Sequence, residues 1–157
     1  MLRYLFVVLA GLLFPVLSSA QCLTTPPPNP PFVPPLKNPS SAIGSNTFWY
    51  GTDALWTSLS LDGKWTFQNS VPAPYPTKLV FWRRGFDWRK ELEPKLIITG
   101  KRLDGDAPSI AEAHANAALF GAGDAMITAI DIPTAGCWEL TAHYGGHTLS
   151  FIELVEP

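Results

Sequence analysis

His143 and His147 stand four residues apart, a spacing that on a helix would aim two imidazoles at one metal ion. They flank Gly145-Gly146, however, a dipeptide suited to the two-residue turn of a β-hairpin, where the side-chain period is two. Pairing about that turn sends His143 to a polar face and His147 to an apolar one, so the two rings cannot grip one ion. The third histidine, His114, has Glu112 two positions before it, which is no facing separation on a helix. No metal site and no cofactor is therefore expected. Acyl-transfer chemistry finds no Gly-x-Ser-x-Gly elbow, and Cys137 falls in a strand. The acidic pairs Asp53 with Asp62 and Asp104 with Asp106 could serve a glycosidase, yet Asp62-Gly63 and Asp104-Gly105-Asp106 are explained by turns. No catalytic residue is assigned.

The aromatic residues point instead to binding. Six tryptophans exceed what one small core needs, and Phe48-Trp49-Tyr50 and Phe81-Trp82 put rings at adjacent positions, which face opposite sides of a strand. One ring of each set is therefore either exposed or packed under another segment. Exposed rings on a rigid sheet bind sugars, peptides or apolar partners with little loss of entropy. Rings packed away would instead be capped by the proline-rich stretch 24–41. Beside them lies a local basic cluster, Arg83, Arg84, Arg89 and Lys90, with Lys101 and Arg102 placed on a neighbouring strand and Phe86 and Trp88 interleaved. The cluster fits an acidic glycan or a lipid headgroup, or else a solvated edge that resists strand-to-strand aggregation. The candidate ligand-binding set is Trp49, Trp82, Arg83, Arg84, Trp88 and Arg102.

Strands must position these residues. After Asn46, short apolar stretches are broken by turn residues at intervals of about ten, the rhythm of a sandwich or small barrel. Strands are predicted near 47–50, 54–59, 64–68, 78–83, 95–103, 125–130, 137–144 and 148–155. Asp62-Gly63 reads as a hairpin turn between the second and third, and Gly100 as a bulge or a close backbone approach. The alanine-rich stretch 109–119 is the one candidate helix. In the last hairpin a type I′ turn at Gly145-Gly146 sets Tyr144 opposite His147, Ala142 opposite Leu149, Leu140 opposite Phe151 and Trp138 opposite Glu153. The alternate pairs, His143 with Thr148, Thr141 with Ser150 and Glu139 with Ile152, are mostly polar. This is the pattern of a hairpin with one face on a core, broken at its far end by Glu153 and Ile152.

Upstream, Arg3, an apolar run over 4–17 and Ser18-Ser19-Ala20 make the three parts of an export signal, read as residues 1–20 with cleavage before Gln21. The run is shorter than the ~20 residues of a spanning helix and contains Pro15. Residues 21–45 form a proline-rich extended arm holding half of the chain's 16 prolines, which serves as a spacer or as a recognition motif for an aromatic groove. Residues 46–157 form one domain. A secreted or periplasmic chain with two cysteines is expected to join Cys22 to Cys137 in a disulfide. Lipid attachment at Cys22 is the minority alternative. With 46% hydrophobic and 15% charged residues the chain is globular, and a net charge of -2 gives no general attraction to nucleic acid or an anionic membrane.

The segments Phe48-Trp49-Tyr50-Gly51, Phe81-Trp82-Arg83-Arg84, 95–104 and above all Gly136-Cys137-Trp138-Glu139 resemble a group of uncharacterised exported bacterial proteins in which a Gly-Cys-Trp-Glu strand precedes a closing strand. The resemblance implies an immunoglobulin-like antiparallel β-sandwich, agrees with the disulfide and implies no activity. The expected function is a non-catalytic binding or interaction module of the cell envelope, its partner an envelope protein or an acidic glycan. The alternative is a hydrolase or an enzyme inhibitor whose functional residues lie on loops.

Overall fold

The computed structural model describes residues 21–36, 44–68, 71–112, 114–120 and 123–157. The export signal read over 1–20 lies outside the described residues, as does part of the arm.

Alternating apolar and polar residues make strands when one face can be buried, and ten form among the described residues. They are β1 (Thr47–Thr52), β2 (Leu55–Ser60), β3 (Lys64–Thr66), β4 (Tyr75–Trp82), β5 (Ile97–Arg102), β6 (Ile110–Glu112), β7 (Asn116–Phe120), β8 (Gly123–Ile132), β9 (Gly136–Tyr144) and β10 (His147–Glu156). One sheet has the order β1-β2-β4-β8-β7 and the other β3-β10-β9-β5-β6. Taken as A, B, E and D, strands β2, β4, β8 and β7 reproduce the first immunoglobulin sheet, and β10, β9, β5 and β6 reproduce the G-F-C-C′ order of the second. The chain is an all-β, immunoglobulin-like sandwich, extended by β1 beyond strand A. All pairings are antiparallel except that of β3 with β10. The core between the sheets is built on Leu55, Phe81, Met126, Trp138, Leu140 and Phe151.

The last hairpin has the expected register along its whole length, from His147 opposite Tyr144 to Glu153 opposite Trp138. Gly145 and Gly146 both take positive φ, 57° and 79°, as a type I′ turn requires. Three local expectations are corrected. Stretch 109–119 is no helix but holds β6 and part of β7, where Ala117 and Ala118 pair with Met126 and Ala125. Pairing with a neighbouring strand outweighs alanine's helix preference, the strongest of any residue but worth under about 1 kcal/mol per position. Asp62-Gly63 does not close a hairpin: the chain leaves β2 in one sheet and enters β3 in the other. Gly100 sits in an unbroken ladder between Ile110 and Leu140, and a Cβ there would lie 2.6 Å from Leu140 Cδ2, so it makes room for side chains rather than a bulge.

The arm wraps the sandwich from one sheet to the other. Cys22 and Cys137 form the expected disulfide, which leaves no thiol on Cys22 for a lipid. Thr25 donates its N–H to the Ile152 carbonyl at 3.0 Å, and its Oγ1 accepts from Ile152 N–H at 2.7 Å. Thr24 packs against Gly63 at the switch between sheets. Farther on, Phe32 and Leu36 cover the outer face of the β1-β2-β4-β8 sheet, where Trp49, Trp56, Trp82 and Ala125 form a second apolar layer.

The Gly-Cys-Trp-Glu segment is structural at each position. Gly136 has φ of 139°, and a Cβ there would fall 2.5 Å from Arg102 Nε. Cys137 carries the disulfide, Trp138 is fully buried and donates its Nε1–H to the Thr134 carbonyl at 2.9 Å, and Glu139 pairs with Lys101 at 2.8 Å. Gly136→Ala is expected to cost about 2 kcal/mol, through backbone strain and displacement of Arg102. Thermal unfolding will read this as a fall of about 8 °C; an unchanged midpoint would show that the strain is relieved at no cost.

Candidate functional site

The segment 83–96 joins β4 to β5 across one end of the sandwich, with no strand of its own. Long irregular connections in a compact domain are commonly functional, provided the rest of the fold holds them. Here it is braced at several points. The Arg84 amide donates to the Asp53 carbonyl at 2.9 Å, tying the segment to the β1–β2 turn. Asp87 opens a single helical turn: its Oδ1 accepts from the Arg89 amide at 3.1 Å and its carbonyl from Lys90 at 3.0 Å. The Leu92 carbonyl accepts from Ala117 N–H on β7 at 2.8 Å, and Leu96 is fully buried.

Tyr144, the last residue of β9, is the central brace. Its hydroxyl donates to Glu91 Oε2 at 2.5 Å, Phe86 meets its ring edge-on with centroids 6.3 Å apart, and the Arg83 guanidinium lies 5.7 Å over the ring. Burial, with the Glu91 carboxylate beside it, pushes the Tyr144 phenol up to about 12, so it stays protonated and remains a donor. Above these anchors the segment presents Leu92, 60% exposed, the Lys90 ammonium, and Arg89 stacked 4.9 Å over Trp88.

The six residues of the candidate ligand-binding set do not share one surface. Arg83, Arg84 and Trp88 come together on segment 83–96. Trp49 and Trp82 are only 7% and 1% exposed, covered by the arm, so the expected open aromatic face is not found there. Arg102 lies at the far end of β5, about 17 Å along the strand from the loop end. There Arg102 Nε donates to Asp104 Oδ1 at 2.7 Å and Nη1 to Thr134 Oγ1 at 3.3 Å.

Two of the four residues of the basic cluster are matched by carboxylates. Arg84 pairs with Asp53 at 2.5 Å and Lys90 with Asp87 at 3.4 Å, while Arg83 and Arg89 rest on rings. No protein-family model, no curated protein and no solved structure matches this chain.

The face of β6, β5 and β9 forms a second recess, an open groove of about 500 Å³ bordered by Thr99, Lys101, Ser109, Glu139, Thr141 and His143. Its groups are paired across strands: Lys101 with Glu139, Thr141 Oγ1 with Ser150 Oγ at 2.9 Å, and Thr148 Oγ1 with His143 Nδ1 at 3.3 Å. Glu139 and His143 are four residues apart on one strand, about 13 Å, too far to act on one atom. His143 and His147 do fall on opposite faces of the hairpin, although His147 is exposed beyond the end of the core.

The meeting of Tyr144 with Glu91 and Phe86 is not foreseen from the sequence. Their signal is faint: an aromatic residue just before a Gly-Gly turn, whose partners are more than fifty residues away.

Proposed function

We propose that the chain is an exported, non-catalytic binding module of the cell envelope, and that segment 83–96 with the β9–β10 turn is its working surface. The observation that carries this is the bracing of that segment by Tyr144 while Arg89, Lys90 and Leu92 are exposed, Arg89 resting on the half-buried Trp88 ring. A segment ordered by folding loses little further entropy on binding. The disulfide supports an oxidising compartment, and among the described residues no helix is long and apolar enough to cross a membrane. The export signal and the resemblance to exported proteins agree with that compartment. Pairing of Arg84 with Asp53 and of Lys90 with Asp87 weakens the field a polyanion would follow and favours a protein surface over an acidic glycan.

The test places a photoreactive residue at Leu92 and, as a control, at Leu103, 46% exposed just past the far end of β5. The Leu92 position should give a discrete envelope-protein adduct that weakens about tenfold with Glu91→Ala, which unties the brace. Equal adducts from both positions, or none from Leu92, would remove the loop end as the binding surface. A braced segment also suits an enzyme inhibitor, and a cross-linked partner that proves to be a hydrolase would select that reading.

A further inference from the structure

The arm lies on a surface that is chemically unfinished. Trp49 and Trp82 meet edge to face with centroids 5.2 Å apart, Phe32 of the arm packs 6.1 Å from Trp56, and Phe120 continues the aromatic row 6.3 Å from Trp82. Trp56 and Trp82 are each 1% exposed, yet the indole N–H of each has no hydrogen-bond partner. Indole nitrogen donates only, so what this layer lacks is acceptors.

A proline-rich chain is the peptide that offers acceptors without matching donors, because proline has a carbonyl but no N–H. Among the described residues the arm does not supply them to these indoles. The carbonyl of buried Pro34, between Phe32 and Leu36 in the chain, accepts instead from the Leu36 amide at 2.8 Å. At the end of the row Phe120 keeps 44% of its surface open.

We infer that the Trp49–Trp56–Trp82 face is a binding site for an extended proline-rich peptide of another chain, with the arm as its built-in, imperfectly matched occupant. Apolar packing would give the peptide affinity, and its carbonyls would satisfy the two indoles. The arm is held at its root by the Cys22–Cys137 disulfide and the Thr25–Ile152 hydrogen bonds. Its local concentration is therefore high, and an incoming peptide must outcompete it. This site is separate from the loop end and stands or falls independently of it.

Two experiments test the inference. In the first, the protein carrying Phe32→Ser and Leu36→Ser is titrated with a nine-residue oligoproline and with a synthetic peptide of residues 28–36, followed by tryptophan emission. Saturable binding is expected, at least tenfold tighter than to the parent protein. A variant that keeps its β-sheet circular dichroism and exposes its tryptophans, yet binds neither peptide, would overturn the inference.

In the second, benzothienylalanine replaces Trp56 and Trp82 in the otherwise unchanged protein, removing each N–H while preserving shape. The melting temperature should hold or rise, and oligoproline affinity should fall about tenfold per indole. A lower melting temperature would show that the indoles are already satisfied under the arm, and unchanged affinity would show that they do not receive the peptide. Either result sinks the inference even if the first variant fails to fold.

Discussion

Replacing Glu153 with glutamine is expected to stabilise the protein at alkaline pH and to remove most of a decline in stability between about pH 5 and pH 8. Glu153 faces the core from β10, opposite Trp138, with 1% of its surface exposed and no partner for Oε2. Burial, and secondarily the charge of Asp62, push its carboxyl from 4.5 up to about 8. The folded protein therefore binds this proton more tightly than the unfolded chain does. The stabilisation is fully present below the unfolded value of 4.5 and is lost as pH rises through about 8.

A shift of this size corresponds to about 3–5 kcal/mol between the two limits, since each pKa unit is worth about 1.4 kcal/mol. Melting curves from pH 4 to pH 9 will show the parent losing stability through that window and Glu153→Gln nearly flat. Asp62→Asn removes a charge that raises the Glu153 carboxyl, so it should make the decline slightly smaller, and only slightly because burial is the larger cause. Parallel parent and Glu153→Gln curves would mean that water or a rearranged neighbour satisfies the carboxylate.

Removing the disulfide should have an effect of similar size. Cys22 and Cys137 are 115 residues apart, and closing so long a loop restricts the unfolded chain by about 4–5 kcal/mol in the chain-entropy treatment. A Cys22→Ser, Cys137→Ala double variant should melt about 15 °C below the parent. Alanine is chosen at position 137 because that side chain is buried and a hydroxyl there would add its own cost. The same variant frees the root of the arm, leaving Thr25–Ile152 and the tryptophan layer to hold it. A drop of only about 2 °C would mean that the unfolded chain already keeps its ends close.

Features set by neighbours along the chain are legible in the sequence by itself. The β9–β10 register follows from an alternating pattern and a Gly-Gly turn, both local, and even the misfit at Glu153 marks a real acid on the core face. The disulfide follows from counting, since two cysteines in an oxidising compartment have one pairing. Strand rhythm is likewise periodic, and it locates eight of the ten strands. The alanine-rich stretch escapes it because the strand character there comes from β8, a partner its own residues do not specify.

What the tertiary structure alone decided is which distant surfaces meet. Adjacent aromatics in β1 and β4 require that some rings leave the core, but whether they face solvent or the arm depends on Phe32 and Leu36 folding back over Trp56 and Trp82. Arg102 reads as a neighbour of Arg83 because both belong to basic stretches, yet the length of β5 separates them. Tyr144 and Glu91 find each other only once the two sheets have closed. Periodicity records which face of a strand is buried; it carries no record of what does the burying, because packing partners are chosen by topology across long loops and not by spacing along the chain.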